Sequence, residues 1–240
     1  IEPGLSKDAM ADLTMEGLEA NLPLLDEDDD YWVSQRVTRG VRGAAQGLGP
    51  TVIIECFPLP FGERASYYRD GIPVVTPSIR RTPPESMSPR AKVHNYINMV
   101  QGELEVRSQD PSAWALLLDV NGNLCEGLGS NLFLVKNGRL LTPRAQYVLA
   151  GISRGTVIDL AEQLGMVCEE RDLDLYDAYT ADEIFVTSTS FCVCPVRSIN
   201  GNKVAQDAIP GKITQQLLSA YSTLVDCDIV AQYLRHLEPE

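Results

Sequence analysis

Leu124-Cys125-Glu126-Gly127-Leu128-Gly129-Ser130-Asn131-Leu132-Phe133 reads as a strand, a glycine turn and a returning strand. The reading extends in both directions. Upstream, Trp114–Val120 (WALLLDV) is an apolar run, and Asn121-Gly122-Asn123 is a strong hairpin-turn signal. Downstream, Leu132–Val135 is followed by an Asn137-Gly138 turn and a short strand over Arg139–Leu141. Helices flank this run of strands. Val93–Arg107 carries apolar residues at Ile97, Val100 and Leu104. Ser153–Leu164 (SRGTVIDLAEQL) reads as a helix closed by Gly165.

The outer parts of the chain are patterned as well. Residues 6–21 predict a helix, with Ser6 as its cap, Asp8 in its first turn and Met10, Leu13, Leu18 and Leu22 on its apolar face. Asp26–Asp30 is an acidic turn. Tyr31–Gly40 (YWVSQRVTRG), Thr51–Phe57 (TVIIECF) and Gly71–Pro77 (GIPVVTP) read as strands, with a glycine-broken loop between the first two. Residues 78–90 (SIRRTPPESMSPR) hold prolines and no periodicity, as a crossing between two domains would. Towards the end come strands over Met166–Asp172, Glu183–Ser188 and Val193–Ile199 and a short helix over Leu175–Tyr179. A helix over Gln215–Val225 and a helical tail follow.

Composition excludes some functions. The 240 residues carry a net charge of −13, against the clustered Lys and Arg that a nucleic-acid partner needs. No apolar run approaches the ~20 residues of a membrane span. Six scattered cysteines lack a disulfide-framework spacing and fit a reducing cytoplasm. Cys192 and Cys194 form a lone C-x-C, with only His94 and His236 to help them, so no metal site is expected.

Three features carry chemistry. An isolated lysine is usually a solvated surface group, but Lys92 can also be read as a Schiff-base lysine, whose unprotonated amine attacks an aldehyde. Glu126, taken alone, is a turn carboxylate facing water; the functional reading is an acid facing a pyridine nitrogen, with Gly127 and Gly129 allowing close backbone approach. Gly151-Ile152-Ser153 precedes a helix, either as an ordinary serine cap or as a start whose N–H groups hold an anion. Thr187-Ser188-Thr189-Ser190 closes a strand with four hydroxyls, a polar strand end or a phosphate cup. A lysine, a carboxylate in a glycine turn and a phosphate-ready helix start are the handles that hold pyridoxal phosphate.

Their order resembles one family. Lys-x-x-Asn-Tyr is followed, 34 residues from Lys92 to Glu126, by Glu-Gly-x-Gly-Ser-Asn-x-Phe. Leu-x-Gly-Ile-Ser-Arg and Ala-Asp-Glu-Ile-Phe-Val-Thr-Ser-Thr come next. From about residue 31 to about residue 223 this is similar to the class IV (fold type IV) pyridoxal-phosphate aminotransferases. That family includes branched-chain and D-amino-acid aminotransferases, (R)-selective amine transaminases and aminodeoxychorismate lyase. The resemblance implies that Lys92 holds the cofactor and moves a proton, and that Glu126 partners the pyridine nitrogen. It also implies that Tyr96 lies near the 3′-oxygen and that Ile152, Ser153 and Thr189 bind the phosphate. Asn131 would brace the glutamate loop, and Gly129, Ser130 and Asn131 would be among the residues that bind the cofactor. Leu128 stands where the family often has a small residue, narrowing the pocket.

The resemblance further implies an α/β (α+β) fold of two domains with the cofactor between them. Residues 1–85 would be the remaining part of a small N-terminal domain, 86–91 a linker, and 92–240 a larger domain with a barrel-like, mostly antiparallel sheet. The family begins with further strands and a phosphate-binding arginine, and this sequence starts after them. Tyr31, Arg39 and Ser190 are the candidates for substrate contact. Val37-Thr38-Arg39-Gly40 resembles the D-amino-acid and (R)-amine enzymes, with Arg42 as a possible carboxylate partner, whereas the Glu126 loop and Asn95-Tyr96 lean to the branched-chain side.

The implied function is transamination between an amino acid or primary amine and a 2-oxo acid, in a homodimer. The rivals are a pyruvate-releasing lyase, a D-amino-acid or (R)-amine transaminase, a catalytically silent binding protein on the same scaffold, and a plain acidic interaction module.

Overall fold

A computed structural model describes residues 4–26, 29–41 and 49–237. The chain divides into two compact units, Ile1–Phe61 and Gly62–Glu240. In the first, Ser6 caps helix α1 (Lys7–Asn21), its side chain accepting from the Ala9 N–H at 3.1 Å. Strands β1 (Tyr31–Val37) and β2 (Val52–Pro58) pair antiparallel, from Tyr31 opposite Pro58 to Val37 opposite Val52. The helix meets them through Gly17, where a Cβ would come within 3.3 Å of Ile54, and through a Gln35–Thr14 hydrogen bond of 2.6 Å. Of the apolar face expected on α1, Met10 and Leu18 are half-buried, while Leu13 and Leu22 are exposed. Arg42 lies outside the described residues.

The second unit begins with helix α2 (Phe61–Asp70) and strand β3 (Ile72–Val75), then helix α3 (Ile97–Gln109). The strands β4 (Trp114–Leu118), β5 (Leu124–Gly127), β6 (Asn131–Lys136) and β7 (Arg139–Pro143) follow. After helix α4 (Ile152–Gln163) come β8 (Cys168–Arg171), helix α5 (Leu175–Tyr179), β9 (Glu183–Ser188), β10 (Cys192–Ile199) and β11 (Asn202–Lys203). Helices α6 (Lys212–Leu224) and α7 (Ile229–Leu234) complete it.

Strand pairing closes a ring. β3 pairs parallel with β4 and with β10; the remaining contacts β4–β5, β5–β6, β6–β9 and β9–β10 are antiparallel. This is the barrel-like, mostly antiparallel sheet expected from the sequence, with β7–β8 extending one side and β11 the other. Closure leaves few open edges and buries both faces of the central strands. Accordingly β6 and β9 are near-continuously apolar and buried, and the cross-strand pair Phe133–Phe185 stacks with ring centres 5.0 Å apart. Each such side chain contributes about 1.5–3 kcal/mol on burial.

Strand β3 is hydrogen-bonded between β4 and β10, which ties residues 72–75 into the large sheet. One helix boundary differs from the sequence reading. Helix α3 starts at Ile97, not Val93. β-Branched Val93 and the weak helix formers His94 and Asn95 sit before it, and no side chain caps it. Lys92 is therefore on an irregular segment ahead of the helix.

Candidate functional site

A cavity of about 360 Å³ opens on the second unit, and every residue lining it belongs to that unit. One wall is the β5–β6 hairpin. Glu126 and Asn131 are directly opposed across it, so their side chains share a face. The turn between them is closed by the Gly127 N–H donating to Ser130 O at 2.9 Å. It leaves no room at Gly127, where a Cβ would come within 2.6 Å of Ser130 Oγ. Gly129, Ser130 and Asn131 all line the cavity, as does Leu128, which also packs against the apolar cluster of Met99, Val106 and Ala115.

Glu126 is the most constrained group in the site. Its Oε1 accepts from Arg81 Nε at 2.9 Å, with the two side chains only 5% and 7% exposed. Its Oε2 accepts from the Leu149 N–H at 2.8 Å and from Asn131 Nδ2 at 3.5 Å. Asn131 Nδ2 also donates to Leu149 O at 3.0 Å, tying the hairpin to the loop before α4. Burial pushes the Glu126 carboxyl above the usual range; the Leu149 N–H, Arg81 and Lys92 pull it partly back. The result is a buried acid, oriented on both oxygens, that gains from any further positive charge.

Lys92 lines the same cavity. Its Nζ lies 3.3 Å from Tyr96 Oη and 6.0 Å from the Tyr96 ring centre. The residue is exposed overall, consistent with an amine presented to an open cavity rather than packed in a core.

At the far wall, Gly151 is the N-cap of α4 and no side chain caps the helix. Ile152 and Ser153 are its first two residues, so their N–H groups have no intrahelical acceptor, and both residues line the cavity. A Cβ on Gly151 would overlap Asn131 Oδ1, so only glycine lets the helix start this close to the hairpin. Ser153 is buried, and its Oγ accepts from Tyr221 at 3.4 Å. Beside it, the end of β9 brings Thr187, Ser188 and Thr189 to the cavity. Thr187 Oγ1 is buried without a hydrogen-bond partner among the described residues.

Lys92, Tyr96, Glu126, Gly129, Ser130, Asn131, Ile152, Ser153 and Thr189, nine residues singled out from sequence, thus line one cavity. Of the three substrate candidates, Ser190 belongs to the same unit but does not line the cavity. Ser190 is turned away, its Oγ accepting from Arg64 Nη1 at 2.7 Å. Tyr31 and Arg39 belong to the first unit, where Tyr31 donates to Asn21 O at 2.8 Å and Arg39 is exposed beyond β1. Arg81 was missed. It sits in the stretch read only as a crossing, and the signal available was physical: a buried acid needs a counter-charge. Arg81 also borders a second cavity of about 280 Å³ with Asp119 and Cys125. Burial pushes the Cys125 thiol up to about 12, so it is a packed thiol rather than a nucleophile.

Residues 7–199 match the class IV amino-transferase family. The chain belongs to that family. This class IV aminotransferase chain is 36% identical over 233 residues to a Methanocaldococcus jannaschii protein assigned to the branched-chain-amino-acid aminotransferases, spanning 93% of this chain and 76% of that protein. The branched-chain-amino-acid aminotransferase of Escherichia coli is 34% identical over 177 residues, 73% of this chain and 57% of that enzyme. In the crystal structure of the Escherichia coli branched-chain amino acid aminotransferase the fold recurs with a TM-score of 0.82 and 28% identity. All of this chain is covered there, and 76% of that one. The chain therefore spans about three quarters of the archaeal relative and just over half of the bacterial sequence match. Among the described residues no helix is long and apolar enough to cross a membrane.

Proposed function

We propose that the cavity holds pyridoxal 5′-phosphate and that the enzyme moves an amino group between a branched-chain-like amino acid, or a primary amine, and a 2-oxo acid. The observation that carries this is the buried Glu126, oriented on both oxygens, in one cavity with Lys92 and the uncapped start of α4. The residues present fit the group. Thr187 Oγ1 has a hydrogen bond to give and no acceptor among the described residues, and Gly127 and Gly151 stand where a side chain would not fit. The volume is of the size that small-molecule sites have.

When bound, the cofactor supplies an electron sink for a carbanion at the substrate's α carbon. The chain's own residues do the rest. Glu126, as a carboxylate, matches a protonated pyridine nitrogen and, with Arg81 behind it, keeps its orientation throughout. Lys92 Nζ would supply the nucleophilic amine that holds the cofactor and would carry the proton that moves at the substrate's α carbon. Tyr96 Oη, 3.3 Å from that amine, orients it by hydrogen bonding. The Ile152 and Ser153 N–H groups and the hydroxyls at the end of β9 bind the phosphate, aided by the helix dipole.

Tyr31 and Arg39 are retained as candidates for substrate contact. We place the enzyme in a reducing cytoplasm, where its six free cysteines stay unpaired. We also read it as a homodimer, to which the exposed Ile97 and Leu104 face of α3 is suited. Sedimentation of the full chain tests that state.

The deciding experiment for the reaction is a donor panel of L-leucine, D-alanine and (R)-1-phenylethylamine, each with 2-oxoglutarate and with pyruvate. Turnover of L-leucine with 2-oxoglutarate is expected. Activity confined to D-alanine or the amine would overturn the branched-chain assignment, and pyruvate release without an acceptor would reassign the enzyme as a lyase.

A further inference from the structure

The turn that ends β9 is gripped from outside the cavity by three side chains. Arg64, on α2, donates from Nη1 to Ser190 Oγ at 2.7 Å, with its guanidinium carbon 5.9 Å from the ring centres of both Trp114 and Phe191. Tyr68, one helical turn further along α2, donates to Phe191 O, and Tyr233 of α7 donates to Ser190 O. The turn is thus fixed by one hydroxyl and two carbonyls. Ser190 Oγ in turn lies 3.2 Å from Ser188 Oγ, and Ser188 lines the cavity.

The charge on Arg64 biases the direction of this chain. A guanidinium carries only N–H donors and cannot accept. Ser190 Oγ therefore accepts from Arg64, and although either hydroxyl could donate across the 3.2 Å to Ser188 Oγ, a charged donor on Ser190 Oγ polarises its O–H and favours Ser190 as the donor. In that arrangement Ser188 accepts, its own hydrogen points elsewhere, and the open side of Ser188 is the cavity. We propose that Arg64, acting through Ser190, orients the Ser188 hydroxyl as a donor to the phosphate of the bound cofactor. Arg64 is then a positioning residue, two hydrogen bonds from the anion it serves.

The neighbouring Thr187 supports the same occupant independently. Its buried Oγ1 lies on the same wall without a partner among the described residues, and a phosphate oxygen would satisfy it. The proposal rests on the cofactor reading above, and it goes further in naming which hydroxyl is aimed and by what.

The test compares pyridoxal 5′-phosphate with pyridoxal, which lacks the phosphate. The cofactor-stripped full chain is titrated with each, following the visible absorbance of the lysine-bound vitamer. Wild type, Arg64→Met, Arg64→Lys and Ser190→Ala are compared. Ser190→Ala and Arg64→Met are expected to weaken pyridoxal phosphate roughly tenfold, the scale of one hydrogen bond assisted by a charge. Pyridoxal should shift by less than about twofold, and Arg64→Lys should recover most of the loss, since lysine also only donates.

Equal losses for both vitamers would mean the turn has merely moved, and would overturn the relay. So would unchanged affinity for both. If Arg64→Met fails to fold, Ser190→Ala decides alone, because it removes one oxygen and leaves the Arg64 stacking intact. A wild-type chain that binds neither vitamer would sink the cofactor reading itself. That outcome differs from a relay failure, in which wild type binds and the variants match it.

Discussion

Replacing Arg81 with methionine keeps an apolar stem but removes the charge that Glu126 Oε1 faces at 2.9 Å. With both side chains more than nine-tenths buried, the acid is left without its ion-pair partner, a change that typically costs about 3–5 kcal/mol. Glu126 has one escape, which is to take up a proton. Holding a carboxyl of ordinary pKa, about 4.3, protonated at pH 7 costs about 1.36 kcal/mol per pH unit over roughly 2.7 units, or about 3.7 kcal/mol. That figure is a ceiling on the loss at neutral pH.

The sign follows from the direction of the shift. Burial already holds Glu126 above its unfolded value, and removing Arg81 raises it further. Between the unfolded and the folded pKa the native state binds more protons, so variant stability falls as pH rises. The deficit against wild type should be near zero at about pH 4–5. It should open by up to about 1.4 kcal/mol per pH unit above the wild-type folded value and level off near the ceiling. Urea unfolding of the full chain at several pH values measures it. The double variant Arg81→Met/Glu126→Gln removes the stranded charge and should regain most of the loss at pH 7. A deficit of equal size at pH 5 and pH 8, or a double variant no more stable than the single one, would refute the reasoning.

Other outcomes follow from the same geometry. Lys92→Ala should abolish the visible absorbance of added pyridoxal phosphate and lower turnover by at least about a thousandfold, since it removes nucleophile and proton carrier together. A spectrum unchanged by the substitution would disprove that role. Gly151→Ala drives a Cβ into Asn131 Oδ1 and should destabilise the chain by about 1–3 kcal/mol in urea unfolding while displacing the brace on Glu126. A neutral effect would mean that Asn131 can move freely.

What the sequence made legible was local. The β5–β6 hairpin could be read because its glycines, Asn131 and flanking apolar runs lie within ten residues, and the start of α4 because Gly151 and Gly165 bracket a helical period. The meeting of Lys92, Glu126 and Ser153 in one cavity was carried by the order of motifs. No single motif identified them. Elements whose meaning depends on distant pairing stayed hidden. Helix α2 follows Pro58 and Pro60 and includes Gly62, so its propensity is poor; what it contributes is a grip on a turn more than a hundred residues away through Arg64 and Tyr68.

Arg81 shows why the distinction is physical. Its backbone N–H donates to Leu118 O at 2.8 Å, so its place is fixed by contact with β4, and the proline-rich sequence around it gives no periodic sign. Yet the need for it was implicit in the glutamate. A carboxylate predicted to face a cofactor from inside a barrel wall cannot remain ionised without donors and a counter-charge. The arginines in the apparently featureless stretch were the available cations, and one of them had to turn inward. Electrostatic demand at a legible residue is thus itself evidence about an illegible one, and the pH-dependent deficit predicted for Arg81→Met measures how strong that demand is.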